Sequence, residues 1–166
     1  MARAALALAS VPVILAAVST PASASSNITW QNKATHGCLQ FGTLGGVGSD
    51  PDALVHCGSS DMASSRWDDS QDNLDSPNGA WKITTRSQSS PGSCLASWYA
   101  DPNTKIGHVY VEPCDSPANW YQQWYENWKG DGMQLVNRQT GLCLDANKQG
   151  DVYTHDCNNG DYQIWK

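Results

Sequence analysis

Residues 143–166 read CLDANKQGDVYTHDCNNGDYQIWK. Cys143 and Cys157 enclose a Gly-containing turn and the alternating stretch DVYTH, and Gln163 stands two residues before Trp165. The chain carries this arrangement three times. Cys38, Cys94 and Cys143 are each followed by leucine, and Trp67, Trp124 and Trp165 follow the second cysteines by ten, ten and eight residues. HVYVEPC at 108–114 matches DVYTHDC at 151–157 position by position. WQNKATHGCL at 30–39 matches LVNRQTGLCL at 135–144, with Asn32 and Asn137 in register. Self-similarity of this kind marks a repeat architecture, with units at about residues 27–67, 68–124 and 125–166 of a single domain spanning 25–166.

Each unit reads as short strands between turns. ITWQN and MQLVN open units, GCLQF and LCLDA are second strands, HVYVE and DVYTH are third strands, and YQQW and YQIW begin the closing ones. No segment holds a helical stripe, so the expected fold is all-β, with helix limited to short turns such as DPDALVH. DDSQDNLDSPNGAW and SPANW, rich in Asp, Asn and Pro, read as surface loops.

Residues 1–24 read as a secretory leader: Arg3, an apolar run, and the small residues Ala22, Ser23 and Ala24 before a cleavage point. Pro12 and Pro21 make that run too short for a membrane anchor, so the expectation is secretion without membrane insertion. Without the leader, nine cations face sixteen acids, a net charge of about -7, which disfavours nucleic acid as a partner. Six cysteines in a secreted chain suggest three disulfides. Six allow fifteen pairings; separations of 19 for Cys38–Cys57, 20 for Cys94–Cys114 and 14 for Cys143–Cys157 suit local loops. CxxC is absent and the histidines are scattered, so neither a metal nor another cofactor is expected. Asn27-Ile28-Thr29 is a glycosylation sequon.

Paired cysteines, threefold recurrence and the QxW ending, seen as Gln122-Gln123-Trp124 and Gln163-Ile164-Trp165, resemble the ricin B-type lectin family. The first unit departs, ending Ser65-Arg66-Trp67. The resemblance implies a β-trefoil of three pseudo-symmetric repeats, each with one internal disulfide. It makes Trp124 and Trp165 interior framework and gives Gln122 and Gln163 the task of tying repeats together. The third unit resembles the actinohivin-like, mannose-binding branch through LDxNxxGxVYTxxxNxGxYQxW. That likeness implies sugar contacts at Asp145, Tyr153, Asn158 and Tyr162, with His155 at the wall in place of the usual apolar or aromatic residue.

The chemistry of these residues suits a sugar, which presents paired hydroxyls and C–H faces. Asp145 can accept from two neighbouring hydroxyls, Asn158 can donate and accept, and Tyr153 and Tyr162 offer rings and phenols. Each has a plainer use: Asp145 as a turn cap, Asn158 as a turn former, Tyr153 and Tyr162 as packing, His155 as surface. Asn147 and Gly150 read as residues that shape the turn placing Asp145. The second unit has Ala96 where the aspartate belongs, with Glu112 at the wall and Asp115 for the asparagine; the first has Gln40, Ala53 and Val55. One principal site in the third repeat is therefore expected, and a partner that is a glycan, mannose-containing on the branch likeness.

Catalysis is not expected. The only glutamates are Glu112 and Glu126, and no GxSxG occurs. The competing readings are a protein-binding or inhibitory trefoil, contacting a protein partner through an exposed loop, GTLGGVGSDPD (42–52) or DDSQDNLDSPNG (68–79), and a toxin-complex subunit. With one sugar site, useful strength calls for an oligomer or a polymeric glycan.

Overall fold

The computed structural model describes residues 24–41, 51–57, 62–73, 79–86, 92–116 and 119–166. The leader up to residue 23 and most of the 42–52 loop lie outside them, as do residues 74–78 of the other loop.

Among the described residues ten strands run in chain order: β1 Gly37–Phe41, β2 Pro51–His56, β3 Trp67–Asn73, β4 Ala80–Thr85, β5 Ser93–Ala100, β6 Gly107–Pro113, β7 Trp124–Lys129, β8 Gly132–Asn137, β9 Cys143–Ala146 and β10 Val152–His155. The same residues hold 3-10 turns at Met62–Ser65, Trp120–Gln122 and Asp161–Gln163.

Two threefold sets of pairings close a barrel. Within units, Ile28 bridges Trp67, Trp81 bridges Trp124 and Met133 bridges Trp165. Between units, Trp67 pairs with Thr85, Trp124 with Asn137 and Trp165 with Asn32. The three tryptophans are fully buried, and each Nε1 donates to the carbonyl of the leucine after its unit's first cysteine: Leu39 at 2.9 Å, Leu95 at 2.9 Å and Leu144 at 3.0 Å. A large apolar ring is thus buried without leaving its N–H unpaired.

The hairpins β1–β2, β5–β6 and β9–β10 project from this ring, and β6 also pairs with β10 through Tyr153–His108 and Thr154–Gly107. Each hairpin carries one disulfide, Cys38–Cys57, Cys94–Cys114 and Cys143–Cys157, so one closes within each unit. The fold is an all-β trefoil.

Three readings need correction. The PDALVH part of DPDALVH is β2, not a helical turn: Cys38 pairs with Val55 and Gly37 with His56, and the disulfide to Cys57 holds the pair. Much of the expected loop after Trp67 is β3, because Asp69 pairs with Ile83 and turns into the barrel, where it is only 7% exposed. An inward carboxylate hides the apolar alternation on which strand recognition depends. Finally, YQQW and YQIW pass through 3-10 turns before their tryptophans. Trp67 and Trp124 open β3 and β7, so those strands continue past unit boundaries drawn at the tryptophans.

Two buried asparagines hold the chain of the neighbouring unit. Asn137 donates from Nδ2 to the Tyr121 carbonyl at 2.8 Å while its Oδ1 accepts from Gln139 and Thr140 backbone N–H groups, each at 3.1 Å. Asn32 repeats this with the Tyr162 carbonyl at 2.7 Å and with Ala34 and Thr35, each at 3.1 Å. Both are fully buried. Gln122 and Gln163 bond within their own units instead, because each sits in a 3-10 turn whose side chain faces the exit of the preceding hairpin.

Candidate functional site

In the third unit the turn after β9 is built around Asn147. Its Oδ1 accepts from the backbone N–H groups of Gln149 at 2.9 Å and Asp151 at 3.0 Å, and its Nδ2 donates to Asp151 Oδ2 at 2.8 Å. Gly150 completes the turn at φ 90, a left-handed conformation that glycine adopts without steric cost. The β9–β10 pairing then sets Tyr153 directly opposite Asp145. Residues opposed across antiparallel strands project to the same face.

Asp145, Tyr153, Asn158 and Tyr162 come together on the wall of one cavity of about 320 Å³, with Ala146, Asn147, Lys148, Gln149 and Gly160 completing it. Asp145 is 6% exposed and forms part of this wall. Its Oδ2 accepts from Gln163 Nε2 at 2.8 Å. Gln163 also donates to the Asp156 carbonyl at 3.0 Å and accepts the Asn158 N–H at 2.8 Å, so one buried amide fixes both the aspartate and the asparagine. Asn158 Oδ1 in turn accepts the Gly160 N–H at 2.6 Å.

Burial pushes the Asp145 carboxyl above its ordinary value of 3.8, while the Gln163 bond, the Ala146 N–H and the charge of His155 pull the other way. Burial likewise raises the Tyr153 phenol, with Asp145 and Asp151 adding to the shift. The phenol therefore stays protonated as a donor through neutral pH.

His155 does not line the cavity. At the end of β10 it pairs with Cys143 of β9 and acts on Asp145 and Asp156 through its charge. Lys148 and Gln149, which the sequence reading passed over, do line it. The available signal was their place at the tip of the turn that Asn147 and Gly150 shape. A larger cavity of about 770 Å³ adjoins this one through the shared residues Gly160 and Tyr162 and continues past Gln31, Lys33 and His36.

The second unit keeps the framework bond but changes its partner. Ala96 is buried where Asp145 would stand, and Gln122 Nε2 donates instead to Glu112 Oε1 at 2.8 Å, a carboxylate on β6 rather than β5. Gln122 Oε1 accepts the Asp115 N–H at 2.9 Å, matching the Gln163–Asn158 bond. In the first unit Gln40 is buried and accepts from Ser64 Oγ at 3.4 Å; the side chains of Ala53 and Val55 lie outside the described residues.

Among the described residues no group of three or more His, Cys, Asp or Glu could hold a metal ion. No described helix is long and apolar enough to cross a membrane.

No curated protein sequence matches the chain. Solved structures do match. A designed threefold-symmetric protein, ThreeFoil, superposes with a TM-score of 0.66 at 20% identity, over 83% of this chain and 94% of that one. SeviL bound to asialo-GM1 saccharide matches at 0.60 and 15%, over 84% and 94%. A GlcNAcα1-4Gal-releasing endo-β-galactosidase from Clostridium perfringens matches at 0.62 and 16%, over 85% of this chain but 31% of that one. Identities this low show a shared fold alone. The profile of the ricin-type β-trefoil lectin domain matches residues 31–165, nearly the whole described chain, and the protein belongs to that family.

Proposed function

We propose that this chain is a secreted carbohydrate-binding protein that acts by binding, not catalysis, with its principal site in the third repeat and specificity for mannose-type glycans. The observation that carries the reading is Asp145, held from behind by the bond from buried Gln163, in the wall of a cavity shared with Tyr153, Asn158 and Tyr162. A carboxylate held in one orientation can accept from two vicinal hydroxyls, and charge-assisted bonds of this kind are among the stronger ones. The rings cover the C–H face of the sugar, and Asn158 supplies a donor and an acceptor.

Family membership supports the carbohydrate reading, and a neighbour of the same fold is itself bound to a saccharide. The mannose assignment rests on the third-unit pattern. Three disulfides suit an oxidising, extracellular location.

A single shallow site binds modestly. Useful strength then comes from rebinding along a polymeric glycan or from association of copies. The cavity beyond Tyr162 gives room for a second sugar unit. A glycan panel with the wild-type protein and Asp145→Ala tests the proposal. Mannose-bearing glycans bind the wild type and lose the variant; silence of the whole panel at millimolar concentration refutes the lectin reading.

A further inference from the structure

Two carboxyl groups meet on one wall of the barrel, away from the third-repeat pocket. Trp67 and Trp124 point inward, so Asp69 and Glu126, two residues further along β3 and β7, share that inward face. Both line a cavity of about 460 Å³ together with Ser25, Trp30, Trp128 and Lys166. Asp69 is 7% exposed, and Glu126 Oε1 is buried without a hydrogen-bond partner. Two acids in one poorly solvated pocket repel when both are charged, so the pair calls for a cation. Among the described residues the wall offers only the Lys166 amine, and Asp131 engages it at 2.5 Å.

The missing charge is one covalent step away. Residues 25–28 run antiparallel to 67–69. Ile28 and Trp67 exchange backbone bonds at 2.9 and 3.0 Å, and the Asn27 N–H donates to Asp68 Oδ1 at 2.7 Å. At the head of this segment Asp69 clasps Ser25 twice. Its backbone N–H donates to the Ser25 carbonyl at 2.9 Å, and its Oδ1 accepts from the Ser25 nitrogen. Ala24 and Ser25 are exposed, so the bond between them is open to a peptidase. The small residues Ala22, Ser23 and Ala24 mark that same bond as the end of the leader. The leader's end and the carboxylate of Asp69 thus converge on one nitrogen atom.

We propose that leader removal completes the barrel: hydrolysis of the Ala24–Ser25 bond creates a terminal ammonium at Ser25 that bonds Asp69, faces Glu126 and fastens the first unit in place. The inference rests on the secreted reading. A leader peptidase adds water across the peptide bond; Ala24 leaves with the new carboxylate, and the Ser25 amine takes a proton. The neutral N–H held by Asp69 becomes a charged donor with further protons to give to Glu126. A charge-assisted bond is roughly twice as strong as a neutral one. Before the cut, burial and the charge of Asp69 push the Glu126 carboxyl up to about 7; after it, the two acids have their counter-ion. A start one residue earlier or later places the charge roughly 3.5 Å away along the chain. The precursor therefore lacks a contact that the released protein gains.

Two measurements on the secreted chain test the inference. Mass spectrometry of the product exported with its own leader reads the first residue, which is Ser25. Thermal unfolding then compares the chain starting at Ser25 with the same chain N-acetylated, which keeps the N–H but carries no charge. At neutral pH the free amine melts higher by roughly 3–6 °C. Asp69 and Glu126 favour the charged amine, so the gap persists past the ordinary α-amino value of about 7.7–8.0 and closes at higher pH, as the proton is lost. Lys166 and its partner Asp131 are common to both chains and cancel. Asp69→Asn removes most of the gap, and the acetylated chain gives the comparison with no substitution in the barrel. A leader that stays attached refutes the secreted reading and the inference with it. A first residue other than Ser25 overturns the inference alone, as do equal melting of the free and acetylated chains or a gap undiminished in Asp69→Asn.

Discussion

Gln163 donates to Asp145 across 2.8 Å, joining a framework residue of the 3-10 turn to a carboxylate of β9, 18 positions earlier in the chain. The same amide accepts the Asn158 N–H at 2.8 Å. The framework and the candidate sugar site are therefore one hydrogen-bond unit, and disturbing either disturbs both.

Gln163→Leu keeps the side-chain bulk but removes every one of those bonds. It takes one partner from a buried carboxylate and leaves the Asn158 N–H unpaired, at a cost of about 1–3 kcal/mol. Urea titration reads this as a lower midpoint with unchanged slope. Glycan affinity falls in parallel, since Asp145 is then free to rotate. Stability lost with full affinity retained would separate the two roles and contradict the linkage.

Glycan binding should weaken on acidification earlier than for an ordinary aspartate. Burial raises the Asp145 carboxyl above 3.8, so its charged form is lost at a higher pH as the solution is acidified. The neutral acid accepts more weakly from hydroxyls. Affinity measured between neutrality and pH 4 tests this, with Asp145→Asn expected to be weak and flat over the same range. A wild-type profile that stays level down to pH 4 argues against a bond through that carboxylate.

In the chain whose leader is still attached, Glu126 gives the fold a pH dependence of opposite sense to that of a salt-bridged acid. Burial first, and the charge of Asp69 second, push its carboxyl from 4.5 up to about 7. The folded protein thus favours the protonated form. Its contribution to stability is fullest below 4.5 and is lost as pH rises through about 7. The facing groups are Asp69, itself raised by burial, the Ser25 backbone N–H and Lys166. In that chain Glu126→Gln should raise Tm at pH 8 relative to wild type and leave it nearly unchanged at pH 4. Equal shifts at both pH values would mean that ionisation is not the cause.

Asn137 is expected to matter more than any exposed polar residue. Its side chain holds the Tyr121 carbonyl of the preceding unit and two N–H groups of its own turn. Asn137→Ala strands those buried groups and should cost about 2–3 kcal/mol, measured by chemical unfolding. Asn137→Asp retains the acceptor to the turn but loses the donor to Tyr121, and falls between.

Sequence alone was enough for the threefold plan. Cysteines, leucines and tryptophans recur because every copy must bury the same ring against the same carbonyl, and local hairpins bring each pair of cysteines together. Asp145, Tyr153, Asn158 and Tyr162 were legible for a related reason: they lie within one unit, and strand alternation and turn chemistry are local. What the chain order could not show was anything made by barrel closure. Asp69 looked like a loop residue because its inward direction depends on pairing with Ile83. Glu112's bond to Gln122 and the meeting of Glu126 with Trp30 likewise depend on which strands become neighbours. A side chain's type is written locally, but its burial and its partners are set only when distant strands close the ring.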